Sequence, residues 1–174
     1  MLSFARSLGA AQTGDIPGAQ AEIAKLQSLE NKLLEAKDSY WANQVEVQRL
    51  GAASILAHVQ GDDKKAVELA RAAADLDATM DKHPATPAAV LPARELLADL
   101  LLELNEPGAA LKEYEQALRN DPNRFRSILG RARAAKQLGD IAASRDAYQK
   151  LVALSTSAVS ERPELSEAKA FLTN

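Results

Sequence analysis

Residues 91–124 read LPARELLADLLLELNEPGAALKEYEQALRNDPNR, two runs of helical apolar spacing separated by the break Leu104-Asn105-Glu106. After that break come Ala110, Tyr114 and Ala117. The same order returns as Leu138-Gly139-Asp140 followed by Ser144, Tyr148 and Leu151, each residue 34 positions after its counterpart. A period of that length is expected of a repeated unit made of two antiparallel helices and a tight turn. Upstream, Gly61-Asp62 precedes Ala66, Ala70 and Ala73, and Gly14-Asp15 precedes Ala19, Ile23 and Leu26. Four turns therefore begin at Gly14, Gly61, Asn105 and Gly139.

The residue types have physical reasons. Gly or Asn ends a helix in the left-handed conformation that other residues resist. Asp15, Asp62 and Asp140 offer carboxylates to the amides that open the next helix. Ala19, Ala66, Ala110 and Ser144 are small enough to let paired helices approach, and Tyr114 and Tyr148 fill the space between units. Apolar stripes such as Ala66, Leu69, Ala70, Ala73, Leu76 and Met80 keep helical period. So do Leu97, Ala98, Leu101 and Leu104, and Ile128, Ala132, Ala135 and Leu138.

The spacing predicts an all-α chain of four helix pairs. Their helices run over about 2–13 and 16–37, 39–59 and 63–82, 89–104 and 107–120, and 124–138 and 141–155. The units span about 1–38, 39–83, 89–122 and 123–156 of one domain. A last helix within 161–173, opened by Pro163, should cover the end of the stack with Leu165, Ala168, Phe171 and Leu172.

Composition fits. Aromatic residues make up only 4% of the chain, too few for a sheet built on aromatic and β-branched residues. The net charge of -3 gives no general attraction to nucleic acid or acidic membranes. With no cysteine, disulfides, thiol nucleophiles and thiolate-ligated metals are excluded. No apolar run is long enough to span a bilayer, and the first fifteen residues, interrupted by Arg6 and Gln12, lack a signal-peptide layout.

The 91–124 stretch resembles the tetratricopeptide repeat (TPR) family at its small, aromatic and alanine positions and at the closing Pro122. The family's usual tryptophan is absent; Arg94 and Ile128 stand at its place. Residues 82–135, KHPATPAAVLPARELLADLLLELNEPGAALKEYEQALRNDPNRFRSILGRARAA, and 162–172, RPELSEAKAFL, are similar to the C-terminal part of larger bacterial TPR proteins of unassigned activity, many of them apparently exported. The resemblance implies a right-handed α-solenoid, a binding role and a fragment or C-terminal module of a longer protein. It names no partner and no catalytic residue.

The candidate contact residues are therefore those of the expected concave face. The first helix of the third unit is acidic, with Glu95, Asp99 and Glu103. The first helix of the fourth is basic, with Arg124, Arg126, Arg131, Arg133 and Lys136. Asp99 and Arg133 lie 34 residues apart, so they occupy equivalent positions on neighbouring helices and should either neutralise each other or read a ligand. Some TPR proteins hold a peptide's terminal carboxylate with lysines and asparagines at positions where Glu95, Asp99 and Gly130 stand here, which argues against that clamp. Trp41, the only tryptophan, is an interface anchor or a core plug. Prolines make the segment His83–Pro92 a rigid connector, and a small-ligand pocket near Pro84–Pro92 is the competing reading. His58 and His83 lack the partners of a zinc pair. With no phosphate loop and no nucleophile elbow, the expected role is a non-enzymatic scaffold without cofactor. Its partner would be a protein or peptide, without nucleic acid or membrane insertion, and self-association is compatible.

Overall fold

The structure, a computed structural model, describes residues 2–80, 89–156 and 162–173. These form nine α-helices and no strand among the described residues. They fall into two compact units, Met1–Leu96 and Leu97–Asn174. The first holds α1 (Leu2–Gln12), α2 (Ile16–Glu35), α3 (Ser39–Val59) and α4 (Asp63–Ala78). Helix α5 (Ala93–Glu103) begins in the first unit and continues in the second. The second also holds α6 (Pro107–Asn120), α7 (Phe125–Gln137), α8 (Ile141–Leu154) and α9 (Pro163–Thr173). Consecutive helices pack together: α1 on α2 and α2 on α3, then α3 on α4; in the second unit, α6 on α7, α7 on α8 and α8 on α9.

Each turn that the glycines and Asn105 mark is left-handed. Gly14, Gly61, Asn105 and Gly139 have φ of 81°, 81°, 59° and 76°. The following residue's amide then donates back across five residues: Asp15 to Ala10, Asp62 to Ala57, Glu106 to Leu101 and Asp140 to Ala135, at 2.9–3.0 Å. This closes the last turn around carbonyls that would otherwise lack a partner. Asp15, Asp62 and Asp140 accept from the amides of Gly18, Lys65 and Ala143 at 2.9, 3.1 and 2.9 Å. Glu106 makes no such bond; Pro107 opens α6 instead, where its missing N–H loses nothing. A fifth turn of the same kind joins α2 to α3, with Lys37 at φ 58° and Asp38 accepting from Trp41 N at 3.3 Å.

Four small-residue crossings hold the pairs. Seven residues before each marked turn residue and five after it stand Ser7 and Ala19, Ser54 and Ala66, Ala98 and Ala110, and Ala132 and Ser144. All eight are at most 1% exposed. Where a serine replaces alanine its hydroxyl has to find an acceptor. Ser54 donates to Ala66 O at 2.8 Å and Ser144 to Ala132 O at 3.0 Å, so the hydroxyl bridges the helices from either side. Ala110→Leu is expected to overpack the α5–α6 crossing and cost about 1–3 kcal/mol, read as a lowered denaturation midpoint. An unchanged midpoint would mean that this crossing has room to spare.

Two helices are shorter than their spacing predicts. Helix α4 stops at Ala78, where Thr79 turns its hydroxyl onto Leu76 O at 2.7 Å. Helix α5 starts at Ala93, since Pro92 has no N–H to give and contributes only its carbonyl, which accepts from Leu96 N at 3.0 Å. In the second unit Ile128, Ala132, Tyr148, Leu151, Leu165 and Ala168 form the core beneath α9, flanked by Phe171 and Leu172.

Candidate functional site

The second unit contains a groove of about 460 Å3 on the side of its first helices. Helix α5 contributes Asp99, Leu102 and Glu103; α7 contributes Arg126, Leu129, Gly130 and Arg133; the opening of α9 contributes Arg162 and Glu164. Gly130 lies on the stripe between the two arginines, four residues after Arg126 and three before Arg133. The Tyr114 ring occupies the space a side chain would need there: a Cβ on Gly130 would lie 2.1 Å from the ring. Close helix approach and an aromatic floor thus depend on one missing methyl group.

Two relays of tyrosine, carboxylate and arginine organise the charge. The Tyr114 hydroxyl donates to Asp99 Oδ1 at 2.5 Å, and Arg126 donates to Asp99 Oδ2 from Nε at 2.8 Å and Nη2 at 2.6 Å. The Tyr148 hydroxyl donates to Glu167 Oε1 at 2.6 Å, and Arg133 grips Glu167 from Nε at 3.1–3.2 Å and Nη2 at 2.5 Å. Burial pushes the Tyr148 hydroxyl far above the usual tyrosine range, and the neighbouring carboxylate adds to this. The Arg133 guanidinium holds the Glu167 carboxyl below its ordinary range, against a smaller opposing effect of burial. At the groove's end the Arg162 guanidinium lies 4.4 Å from the centre of the Phe125 ring and 3.6 Å from Glu164.

The Glu167 shift sets a direction for pH. Its folded-state pKa lies below the unfolded value of about 4.3. The stability it contributes is therefore present above that pH and lost as pH falls through the folded value. Amide protection along α9 is expected to weaken in acid, and Glu167→Gln should remove this part of the pH dependence in hydrogen exchange. An unaltered acid profile in the variant would exclude the pair as its source.

The candidate residues divide. Asp99, Arg126 and Arg133 meet in the groove. Asp99 does not take Arg133 as its partner; Arg126 reaches it from the start of α7, and Arg133 turns to Glu167, itself 34 residues further on. Equivalent positions on neighbouring helices do pair, but one unit later than the sequence spacing pointed to. Lys136 lies beside the groove, its Nζ 5.5 Å from the centre of the Phe171 ring. Glu95 lies in the first unit and is fully buried. Trp41 is no core plug: it is 44% exposed in the first turn of α3, edge-on to Tyr40 at 5.2 Å, while Ala42 and Val45 take the buried positions. His58 pairs through Nδ1 with Asp63 Oδ1 at 2.7 Å. The segment 83–87 and most of the competing Pro84–Pro92 pocket lie outside the described residues. The relay carboxylate Glu167, the aromatic Phe125 and the paired Arg162 and Glu164 went unmarked; only the basic residues of α7 signalled them.

Paired helices with left-handed turns, small-residue crossings and aromatic fillers define a helical repeat protein of the TPR-like α-solenoid class. A tetratricopeptide-repeat family model matches residues 91–124. Over that stretch the chain is similar to a tetratricopeptide repeat. It is similar in fold to the crystal structure of PcrH from Pseudomonas aeruginosa, with 20% sequence identity, a TM-score of 0.56, and coverage of 73% of this chain and 89% of that one. No curated protein matches the chain. The repeat suggests protein–protein interaction, and proteins built of it are typically non-enzymatic scaffolds. Among the described residues no helix is long and apolar enough to cross a membrane, and no group of three or more acidic or histidine side chains is placed to hold a metal ion.

Proposed function

We propose that this chain is a protein-binding module and that the groove between α5, α7 and α9 holds a peptide segment or a strand of a neighbouring domain. The observation that carries this reading is the groove itself. About 460 Å3 of concave space is lined by first-helix side chains that alternate apolar floor and charged rim. Leu102 and Leu129 supply apolar surface, and the relays supply fixed donors and acceptors, the combination expected of a recognition site.

The absence of cysteine permits a direct test. Gln137 lines the groove, and Gln137→Cys offers a unique thiol for a bulky maleimide. Peptides selected from a random displayed library on the unlabelled variant should lose about tenfold or more in affinity after labelling. Selection that returns no binding peptide, or peptides indifferent to the label, would retire the groove.

A further inference from the structure

The seam between α2 and α3 in the first unit carries a charged cluster of a different kind. Glu30 stands on α2, and Glu46 and Arg49 stand on α3. Arg49 donates to both oxygens of Glu46, from Nε at 2.6 Å and from Nη2 at 2.7 Å. Glu30 is held less closely: its Oε2 lies 3.6 Å from Arg49 Nε and accepts from the Gln27 side-chain amide at 2.8 Å. Two carboxylates thus share one guanidinium, and among the described residues no second cation pairs with either. We propose that this cluster is a proton-operated latch: on acidification Glu30 takes up a proton, donates the new O–H to Glu46, and so tightens α2 against α3.

The side chains of Glu30, Glu46 and Arg49 are only 15%, 20% and 23% exposed. At that depth water screens the two carboxylates poorly, and their repulsion falls on the one that the arginine holds more loosely. That one is Glu30. Burial pushes its carboxyl above the ordinary range; the hydrogen bond and the charge of Glu46 push the same way, while Arg49 and Gln27 oppose them. From α3 the charged groups that face Glu30 are Glu46 and Arg49. From α1, the other helix packed on α2, the single charged side chain is Arg6, and it acts on Glu22, earlier on α2. Gln27 and Arg49 also line an open groove of about 320 Å3 across α2, α3 and α4, so solvent protons reach the cluster without unfolding.

The folded-state pKa of Glu30 lies above the unfolded value of about 4.3, so the folded chain holds this proton more tightly. The stability gained is fully present below that pH and is lost as pH rises through the folded value. Glu167 runs the other way. Acid therefore strengthens the α2–α3 seam of the first unit while it weakens the hold on α9 in the second.

The test is a carbon-detected NMR titration of the glutamate side chains in the full chain. It is paired with hydrogen exchange resolved by helix and corrected for the intrinsic rate at each pH. The Glu30 carboxyl should titrate above the ordinary glutamate value, and amides of α2 and α3 should gain protection as it does. Glu46→Gln should bring the Glu30 midpoint down, because the repulsion is gone and Arg49 is released to Glu30. Glu30→Gln carries an amide that donates to Glu46 at every pH. It should slow exchange along the seam severalfold near neutrality and change it little in acid. Three results would each overturn the proposal. The first is titration of Glu30 at or below the ordinary value, and the second is an unmoved midpoint in Glu46→Gln. The third is a Glu30→Gln chain that exchanges faster near neutrality or fails to fold, as loss of a simple ion pair would give.

Discussion

Removal of residues 161–174 is expected to destabilise the second unit by roughly 3–6 kcal/mol and to make it self-associate. Helix α9 brings Leu165, Ala168, Phe171 and Leu172 onto the core formed by Ile128, Tyr148 and Leu151. Three large apolar side chains at about 1.5–3 kcal/mol each, discounted because Phe171 and Leu172 are only partly buried, give that range. Two polar consequences add to it. Arg133 loses both acceptor oxygens, and the Tyr148 hydroxyl loses Glu167. The exposed face would be apolar and contiguous, the kind of surface that solenoid ends hide. Chemical denaturation and sedimentation of the truncated chain provide the measurement; an equally stable monomer would show that α9 is an appendage and not a cap.

The second large effect is at Gly130. Even one methyl group meets the Tyr114 ring at 2.1 Å. The ring has little freedom to withdraw: Tyr114 is 1% exposed and its hydroxyl is bonded to Asp99. Gly130→Ala should therefore cost about 1–3 kcal/mol by overpacking. Tyr114→Ala should cost about 3–5 kcal/mol by leaving a cavity and removing a hydrogen-bond donor from the Asp99 carboxylate. The two losses should not add, because the space vacated by the ring accommodates the new methyl group. Denaturation of the two single variants and the double variant decides this, and strict additivity would contradict the packing described.

Much of the fold was legible because its punctuation is chemical. Glycine and asparagine mark turns through their tolerance of positive φ, and aspartate marks helix starts through its short carboxylate, so four turns could be placed from Gly14, Gly61, Asn105 and Gly139. The fifth was hidden because Lys37 has no such preference; the tertiary packing of α2 on α3 holds it left-handed. The site was legible in part. A basic first helix after an acidic one brought Asp99, Arg126 and Arg133 forward, but spacing reports which residues are equivalent and not which face each other. Arg126 reaches Asp99 because the Tyr114 hydroxyl holds that carboxylate at the α5–α7 seam, a detail that depends on side-chain direction. The burial of Glu95 was not legible, and the sequence left Trp41 between two readings: position along a helix was readable, while which stripe turns inward depends on packing, as where Ala42 and Val45 take the buried positions and leave Trp41 exposed.

The three glycine turns have a stereochemical consequence. Gly14, Gly61 and Gly139 are exposed, and an added L-side-chain carbon at any of them would meet no atom within 4 Å. Space is thus no obstacle to substitution; handedness is, at roughly 1–2 kcal/mol for an L-residue in this conformation. Inverting the stereocentre removes that penalty, since φ near +80° is the relaxed backbone of a D-residue. A chain assembled by chemical ligation with D-alanine at these three corners would keep every turn and lose only the conformational breadth that glycine gives the unfolded state. Mirror-image residues at the corners would then stiffen a protein whose helices remain entirely of natural hand.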